Sequence, residues 1–351
     1  MTEILMHAER SRYDAARSAM KRTAIPSLGW VRGFVLALIA TSYTPAFAQV
    51  ASPNANFREV VDETGRTVRL PQPVRRIVSL APSMTETLYA LGLQDLLVGD
   101  TDYCDYPPEA QKKQKVGGAI NPSLEEIAHL KPDVVLVTRH LNTLDTVHSL
   151  DALGIASYAT DPRNIDEIVA SAKRLGDVLG APEAGVSVAK DLQRRLEALR
   201  LKVGSLPPTR ALFIVWTDPL ISIGKNTFIA DALRLAGAVS IVDSKQDWPQ
   251  VNLEEMARLQ PEVLVFADSH SESTPRNIDS LATRPGWRIL DAVRNRSFAV
   301  ISEAVNRPAP RIVFAIEDLA VKLHPEAFAA KAVARKTSAN EIANPNCLCA
   351  R

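Results

Sequence analysis

A fifteen-residue phrase occurs twice in this chain, and it limits the possible folds more than any other feature. SLEEIAHLKPDVVLV occupies 123–137 and NLEEMARLQPEVLVF occupies 252–266, a constant offset of 129 positions. Each copy predicts a short helix with an acidic start, then a proline, then a buried strand. Coincidence between two amphipathic helices is the alternative, and it must explain matched leucines, paired glutamates and a matched proline at one offset. The repeat therefore predicts two copies of one α/β design.

The segments around the two copies alternate between strands and helices. RRIVSL (75–80), RALFIVW (210–216) and FAVIS have the apolar composition of buried strands. FREVVDETGRTVRL (57–70) alternates around a turn and predicts a hairpin. Further helices are expected at 141–153, 165–179, 228–237 and 309–323. This alternation predicts mostly parallel sheets covered by helices on both faces.

Capping signals mark several helix starts. A serine or asparagine N-cap followed three residues later by glutamate predicts a capping box, in which each residue bonds the backbone of the other. The expected pairs are Ser83 with Glu86, Ser123 with Glu126, and Asn252 with Glu255.

The other glutamate of each repeated phrase has no capping role in this interpretation. Glu125 and Glu254 lie at the second helical position, where the helix dipole favours an acid but capping geometry does not require one. Both side chains are expected to be exposed. Either they only compensate the dipole, or they form a two-point docking pattern for a two-fold symmetric partner.

One segment departs from the alternation of strands and helices. PEAGVSVAKDLQRRLEALRLKV, 182–203, predicts an uninterrupted helix with proline near its start and Gly204 at its end. At about 1.5 Å per residue it spans roughly 33 Å, which is long enough to join two lobes. We expect an N-terminal lobe at 57–181, a connecting helix at 182–204 and a C-terminal lobe at 205–327.

Both ends of the chain are expected to lie outside the folded lobes. Residues 1–48 have the basic residues, the short apolar run FVLALIA and the small-x-small pattern ending at Ala48 of a cleaved export signal. The run is too short to span a bilayer, and a retained amphipathic anchor is the alternative. Translation is expected to begin at Met20. A linker at 49–56 and a disordered tail at 328–351 complete the organisation.

Charge and cysteine content narrow the class of function. Without 1–48 the chain keeps 35 of its 41 lysines and arginines and 37 of its 40 acidic residues, so it lacks the strongly basic character of nucleic-acid-binding domains. Cys104, Cys347 and Cys349 form no disulfide framework, and a Cys-x-Cys pair alone is an incomplete metal site. The sequence has no G-x-S-x-G, P-loop, H-E-x-x-H or G-x-G-x-x-G motif. Binding is therefore favoured over the competing class, an exported metal-cofactor enzyme.

A ligand held between two such lobes is expected to contact the loops that follow the sheet strands. Aromatic rings beside a few polar groups suit a large, flat ligand. The candidate residues are Tyr103, Asp105, Tyr106, Arg139 and His140 in one lobe, and Trp216, Asp218, Trp248, Asp268, Asn306 and Arg307 in the other. His140 and His270 both follow predicted strands, and they are either ligands of a metal in the bound molecule or ordinary loop histidines.

Five stretches together resemble a known family. RRIVSLAPSMTETLYALG, CDYPPEAQ, VGGAINPSLEEIAHLKPDVVLV, WPQVNLEEMARLQPEVLVF and NRPAPRIV are similar to segments of the periplasmic binding proteins for vitamin B12, haem and ferric siderophores. The resemblance covers about 74–325. It implies two Rossmann-like α/β lobes with parallel sheets joined by one long backbone helix, which is the type III periplasmic binding protein fold.

The resemblance also implies a function. It implies a periplasmic monomer, without a cofactor of its own, that delivers cobalamin or another corrinoid to the permease dimer of an ABC importer in the inner membrane. Haem or a ferric siderophore is the alternative ligand. Glu125 and Glu254 would dock on arginines of the two permease subunits. Where the B12-binding pattern has tryptophans beside the corrin, this chain has Ala119 and Thr138.

Overall fold

The computed structural model describes residues 56–268 and 278–329. The expected export signal with its Met20 start, the linker up to residue 55, His270, Cys347 and Cys349 lie outside these residues. Phe328, which the prediction assigned to the tail, packs against the core of the C-terminal lobe. Within the described part of the chain, none of the helices combines the length and the hydropathy needed to cross a membrane.

The N-terminal lobe is built on a five-stranded parallel sheet. The strands of the lobe, which include a separate pair β1 and β2, are β1 Asn56–Val61, β2 Thr67–Gln72, β3 Ile77–Ser79, β4 Leu97–Asp100, β5 Gln114–Lys115, β6 Val134–Thr138 and β7 Ser157–Thr160. Its helices are α1 Pro82–Ala90, α2 Leu124–His129, α3 Leu144–Ala152 and α4 Ile165–Val178. The sheet has the order β5-β4-β3-β6-β7, and β1 and β2 pair as the predicted hairpin.

The C-terminal lobe repeats this plan after a single long helix, α5 Pro182–Val203. Its strands are β8 Thr209–Ile214, β9 Trp216–Thr217, β10 Leu220–Ile221, β11 Ala238–Ser240, β12 Val263–Asp268 and β13 Phe298–Ser302. Its helices are α6 Phe228–Leu235, α7 Leu253–Leu259, α8 Asp291–Arg294 and α9 Ile312–Leu323. Four of the strands form a parallel sheet of order β11-β8-β12-β13, and β9 pairs antiparallel with β10.

Short 3-10 helices complete the described structure, at Pro108–Lys112, Ile278–Thr283, Trp287–Ile289, Glu303–Asn306 and Pro325–Ala327. The predicted fold class is confirmed, because both main sheets are parallel and one long helix separates them in the chain. The central strands β6 and β12 are buried, except for the exposed Asp268 at the end of β12, as sheets covered on both faces require.

Helix α5 packs by a regular apolar face. Its buried residues recur every three or four positions, which is the period of one helical face: Ala189, Leu192, Leu196, Leu199 and Val203. They share a core with residues of α4 and of the C-terminal lobe. Gly176 of α4 and Gly185 of α5 bring the two backbones together, because a Cβ atom on Gly176 would lie 2.7 Å from the Gly185 Cα.

The first repeated phrase is tied to its central strand by two side chains. Arg76, just before β3, donates from Nε and Nη2 to the carbonyl oxygen of Leu130 at the end of α2, at 2.9 and 2.7 Å. In return, Asp133 Oδ2 accepts the backbone N–H of Arg76 at 2.9 Å. The arrangement fixes the end of α2 to the start of the strand beside it.

The second repeated phrase is held to its neighbouring strand by the same kinds of hydrogen bonds. Arg210 donates from Nη2 to the carbonyl oxygen of Leu259 at 2.5 Å, and its backbone N–H donates to Glu262 Oε2 at 2.7 Å. Lys131 and Gln260, at matching positions of the two copies, both adopt the left-handed conformation, with φ of 47° and 44°. The two copies therefore share local three-dimensional structure as well as amino-acid sequence.

The predicted capping box at the start of α1 is wrong. Pro82 occupies the first turn, and the N-cap is Ala81, which makes no side-chain capping bond. Ser83 is buried inside the helix, and the Glu86 carboxylate instead contacts arginines of the other lobe. Proline fixes the backbone angle of the first helical turn, so the helix starts without a serine cap.

Candidate functional site

The candidate site lies where loops at the carboxyl ends of the two sheets meet. Arg307 and Arg311 of the C-terminal lobe bind Glu86 of the N-terminal lobe, and Arg163 lies 3.7 Å from Asp247 across the same division. Parallel strands place the loops that follow them at one edge of the sheet, where open α/β folds bind ligands. Two groups of charged side chains therefore lie where the two lobes meet, at the cleft between them.

The first ionic group, called the Glu86 group, consists of Glu86, Asp105, Glu303, Arg307 and Arg311. Arg311 donates to Glu86 through Nε at 2.9 Å and through Nη2 at 2.8 Å, a two-point contact. Arg307 Nη1 donates to Glu86 Oε1 at 2.8 Å and to Asp105 Oδ1 at 2.7 Å. Glu303 Oε1 lies 3.4 Å from Arg307 Nη2 and 3.5 Å from Arg311 Nη2. All five side chains are thereby held in one connected network.

Burial strengthens these contacts, because a low local dielectric increases the attraction between opposite charges. The side chain of Glu86 is 2% exposed and that of Arg307 is 14% exposed, whereas that of Asp105 is 42% exposed. Burial raises the pKa of Asp105, but the hydrogen bond and charge of Arg307 outweigh it, so this pKa lies below its usual value. Asp105 is therefore ionised at neutral pH and offers a carboxylate to the cleft.

One tyrosine, Tyr106, contacts the Glu86 group, and a second, Tyr103, lies two residues before Asp105 in the same loop. The Arg311 guanidinium carbon lies 3.8 Å from the centre of the Tyr106 ring, a cation–π contact. Tyr106 is 43% exposed and Tyr103 is 49% exposed. The structure thus brings together three of the predicted site residues, Asp105, Tyr106 and Arg307, and leaves aromatic surface free beside them.

The loop that carries these residues is held by one lysine. Lys115 Nζ donates to Asp100 Oδ1 at 2.7 Å and to the carbonyl oxygens of Thr101, Cys104 and Ala110 at 3.2 to 3.3 Å. The Asp100 side chain is fully buried. An ammonium group with four acceptors fixes the loop path, so Tyr103, Asp105 and Tyr106 lie on a preorganised segment.

Asn142 fastens three further cleft loops of the N-terminal lobe. Its Oδ1 accepts the Thr138 N–H at 2.8 Å, and its Nδ2 donates to the carbonyl oxygens of Ala119 at 2.7 Å and Leu80 at 3.2 Å. Ala119 and Thr138, the positions at which the B12-binding pattern has tryptophans, are buried. The small side chains allow the loops to close on the Asn142 amide.

The second ionic group, called the Asp161 group, contains Arg139, His140, Asp161, Arg163 and Asp247. The Asp161 carboxylate lies 3.2 Å from Arg139 Nη1, 3.3 Å from His140 Nε2 and 3.0 Å from Arg163 Nε. Burial, with the charge of Arg163, lowers the pKa of His140 below its usual value, so His140 is neutral at pH 7. The predicted residues Arg139 and His140 are thus engaged with Asp161.

The remaining predicted residues are less closely associated with either group. Trp216 Nε1 donates to the carbonyl oxygen of Asp218 at 2.7 Å, which closes a local turn, and Asp218 is exposed. Trp248 packs, half-buried, against the core of the C-terminal lobe. Asn306 is half-buried directly before Arg307, and Asp268 is exposed at the end of β12.

Glu125 and Glu254 are exposed in the structure, as predicted. Ser123 caps α2 by accepting the Glu126 N–H at 3.2 Å, but the Ser123 N–H donates to the Val116 carbonyl oxygen and not to Glu126. The reciprocal half of that capping box is therefore wrong.

The capping box predicted in the second phrase is also wrong. Asn252 Oδ1 accepts the N–H of Glu254, two residues on, at 2.7 Å. An asparagine cap bonds equally well to the second or the third helical N–H group, so the sequence alone did not decide between them.

Beside Glu125 the surface has a shallow groove of about 410 Å³ between α2 and α3. Its lining is mostly apolar: Leu124, Ala128, Ser149, Ala152 and Leu153 complete it. The groove adds apolar surface beside the carboxylate of the N-terminal lobe.

Metal coordination by the protein itself has little support in the described ranges. Within 56–268 and 278–329, no three His, Cys, Asp or Glu side chains are grouped so that they could hold an ion. Cys104 is buried between the hydroxyl groups of Thr85 and Thr101. Burial raises the pKa of the Cys104 thiol, so the reactive thiolate is disfavoured.

Several residues of the cleft were missed by sequence reasoning. Glu86 was assigned to a cap, and Arg311, Asp161, Arg163 and Asn142 were not considered. The motif NRPAPR contained a signal for Arg311, because Arg307 and Arg311 are four residues apart at the start of a helix. The other pairings join residues distant in the chain and have no local pattern.

A family profile described as periplasmic binding protein matches residues 77–305. A curated vitamin B12-binding protein of Vibrio cholerae serotype O1 is 32% identical over 259 residues, which are 72% of this chain and 90% of that protein. A vitamin B12-binding protein of Yersinia pestis is 31% identical over 249 residues, 71% of this chain and 86% of that one.

Solved structures are similar over the same extent. The periplasmic vitamin B12-binding protein BtuF of Vibrio cholerae superposes with a TM-score of 0.62 at 31% identity, covering 72% of this chain and 97% of BtuF. The periplasmic haem-binding protein RhuT from Roseiflexus sp. RS-1, in apo form, has a TM-score of 0.65 at 25% identity, covering 72% of this chain and 99% of RhuT.

Proposed function

The chain belongs to the periplasmic binding protein family, and on that premise we propose that it captures cobalamin or another corrinoid in the cleft and delivers it to the permease of an ABC importer. The observation that carries the choice of ligand is the 32% identity to vitamin B12-binding proteins over 72% of the chain. The exposed faces of Tyr103 and Tyr106 support it, because a large macrocycle needs apolar contact area beside a few polar groups.

The residues proposed to contact the ligand fall into two sets. Asp105, Tyr106 and Arg307 belong to or flank the Glu86 group, with Tyr103 nearby, and they would orient polar substituents of the ligand. Arg139 and His140 of the Asp161 group, and Trp216, Asp218, Trp248 and Asn306 of the C-terminal lobe, complete the proposed contacts. By the lobe limits proposed from the sequence, 57–181 and 205–327, each set contains residues of both lobes.

Haem is the second candidate ligand, and a ferric siderophore is a further possibility within the family. The specific observation that favours haem is the similarity to RhuT, a haem-binding protein, at 25% identity over nearly its whole length. The same aromatic surface would accept a porphyrin. His140, neutral at pH 7, would then be available to approach an iron atom, although it already lies 3.3 Å from Asp161.

The protein is proposed to bind and release its ligand unchanged. The family consists of substrate-binding proteins, and the described residues offer ion pairs and aromatic faces without an activated nucleophile. It has no cofactor of its own in this proposal. Residues 1–48 would direct export to the periplasm and be removed after Ala48, leaving a monomer.

Delivery is proposed to use Glu125 and Glu254. Each carboxylate is exposed near the start of a rigid helix in its own lobe, so the pair offers one acid to each subunit of a permease dimer. Exposed ion pairs contribute only about 0 to 1 kcal/mol each, so the acids would govern orientation and encounter rate more than affinity. The apolar groove beside Glu125 would add contact area on the N-terminal side.

The decisive experiment is calorimetric titration of the mature protein with cyanocobalamin, haem and a ferric siderophore. The proposal expects micromolar or tighter binding of cyanocobalamin, with no change in its absorption spectrum on release. If cyanocobalamin binds no better than millimolar while haem binds at micromolar concentration, haem becomes the ligand. If the protein converts any of these compounds, the enzyme alternative replaces the proposal.

A further inference from the structure

The Glu86 group contains more negative than positive charges. Its three carboxylates, from Glu86, Asp105 and Glu303, face the two guanidinium groups of Arg307 and Arg311. The group therefore has a formal charge of minus one when every member is ionised. The most exposed of the five side chains is the Asp105 carboxylate, and both arginines are largely buried.

Each arginine also directs hydrogen-bond donors at protein acids. Arg307 Nη1 is shared between Glu86 and Asp105, and Arg311 uses Nε and Nη2 on Glu86. One face of the Arg311 guanidinium lies against the Tyr106 ring. A carboxylate on a ligand would have to displace a protein carboxylate, and the displaced acid would remain nearby in a partly buried place.

The Asp161 group does not compensate for this excess. Arg139 and Arg163 are balanced by Asp161 and Asp247, and His140 is neutral at pH 7. Among the described cleft residues, the two groups together thus have a formal charge of minus one, and every arginine in them is paired with a protein carboxylate. They do not form the unpaired cationic patch that recognition of carboxylates requires.

We infer that the cleft selects macrocycles whose edge carries uncharged hydrogen-bond donors, such as carboxamides, and rejects the same macrocycles when those groups are carboxylates. An amide N–H of the ligand donates to the exposed Asp105 carboxylate, whereas a ligand carboxylate is repelled by it. This inference rests on the proposed function for the position of the site, and it specifies the chemical class of ligand that the site takes. It favours a corrinoid with amide side chains over haem, which carries two propionates.

The test uses two matched pairs of ligands. The first pair is cyanocobalamin and its monocarboxylic acid, in which one peripheral amide has been hydrolysed. The second pair is haem and haem dimethyl ester. Within each pair the macrocycle is constant. The first pair replaces one amide donor by one carboxylate, and the second replaces two uncharged esters by two carboxylates. We expect the acid of each pair to bind at least about tenfold more weakly than its uncharged partner, because its added charge, one carboxylate in the first pair and two in the second, is repelled by the group at short range.

Glu303→Gln removes one charge from the group and keeps a hydrogen-bonding side chain. The ratio of affinities between acid and uncharged partner should narrow at least threefold in this variant. Asp105→Asn, which keeps an acceptor oxygen toward Arg307, should narrow it as well. Asp318→Asn is the matched control. Asp318 lies on α9 about two turns beyond Arg311, outside the Glu86 group, and pairs with Lys322. It removes the same charge and should leave the ratio within twofold.

Raising the salt concentration should narrow the wild-type ratio, which a purely structural role of Glu303 would not cause. Equal or tighter binding of the acids by the wild-type protein overturns the inference, as does an unchanged ratio in both cleft variants with native melting curves. If only the haem pair binds, the corrinoid assignment fails, and the ratio between ester and acid still decides the inference. If neither pair binds, both proposals fail.

Discussion

Glu86 of the N-terminal lobe and Arg307 of the C-terminal lobe lie 2.8 Å apart across the cleft, although 221 positions separate them in the chain. Arg311 bonds the same carboxylate at two points. This buried carboxylate is therefore a direct link between the two lobes.

Glu86→Gln should destabilise the protein by about 3 kcal/mol, because it leaves two buried guanidinium groups without their shared counter-ion. Urea unfolding measures the change. Glu59→Gln, at an exposed position on β1, is the control and should stay within about 0.5 kcal/mol of the wild type. Equal stability of the Glu86 and Glu59 variants would show that the cross-lobe contact contributes nothing.

Asn142→Leu should cost about 3 kcal/mol, because it leaves the Thr138 N–H and the carbonyl oxygens of Ala119 and Leu80 without their partner. Ligand affinity should fall as well, since three cleft loops lose their common anchor. Asn164→Ala, which removes an ordinary helix cap, provides the comparison at about 1 kcal/mol. If both variants lose the same free energy of unfolding, Asn142 contributes no more to stability than an ordinary helix cap.

The free energy of unfolding should decrease as the pH rises from about 4 to about 6, because of the titration of Asp100. Burial raises the pKa of Asp100 to about 6, because desolvation of the carboxylate outweighs the ion pair with Lys115. The folded state therefore holds a proton that the unfolded state has released, and this stabilisation is lost as the pH rises through 6. The full change is about 3 kcal/mol.

Denaturant unfolding of the wild type and of Asp100→Asn across this pH range tests the prediction. The free energy of unfolding of the Asp100→Asn variant should lack the pH dependence that the Asp100 carboxyl causes. Asp95→Asn, at an exposed position shortly before β4, should retain it. An identical pH dependence in the wild type and the Asp100 variant would exclude Asp100 as its source.

Glu125→Arg combined with Glu254→Arg should leave stability and ligand affinity nearly unchanged but abolish uptake in cells, because both proposed docking charges are reversed. The adjacent double variant Glu126→Arg with Glu255→Arg makes the same change in net charge. It should transport far better and, because neither capping box is complete in the structure, it should remain stable. Normal uptake by the first variant would reduce the exposed acids to dipole compensation.

Gly176→Ala should destabilise the protein by about 2 kcal/mol, because the new Cβ atom would lie 2.7 Å from the Gly185 Cα and force α4 and α5 apart. Thermal unfolding measures this. Ser187→Ala, at an exposed position of the same long helix, should have little effect. A wild-type melting temperature for the glycine variant would mean that the two helices can separate freely.

The sequence predicted those features that depend on local patterns. The bounds of α5, the hairpin before β3 and the helix and strand in each repeated phrase follow from periodicity, capping residues and prolines. β4 was missed, because VGD at its end has the composition of a loop. The left-handed residues Lys131 and Gln260 were also missed, since neither is a residue type that favours this conformation.

The candidate site could be predicted only in part. Asp105, Tyr106 and Arg307 were predicted because each lies in a loop after a strand, where ligands bind in this class of fold, and the structure brings the three together. Glu86 was misassigned, because its local sequence satisfies a capping rule while its real partners belong to the other lobe. Such pairings depend on the orientation of the lobes, which no local pattern encodes.

The paired fastenings of Arg76 to Leu130 and of Arg210 to Leu259 have a mechanical consequence. Each ties the helix that carries Glu125 or Glu254 to the central strand of its own lobe. When the lobes rotate, each helix moves with its sheet. Any rotation of one lobe relative to the other therefore changes the distance between the Glu125 and Glu254 carboxylates, so the two acids report the angle between the lobes.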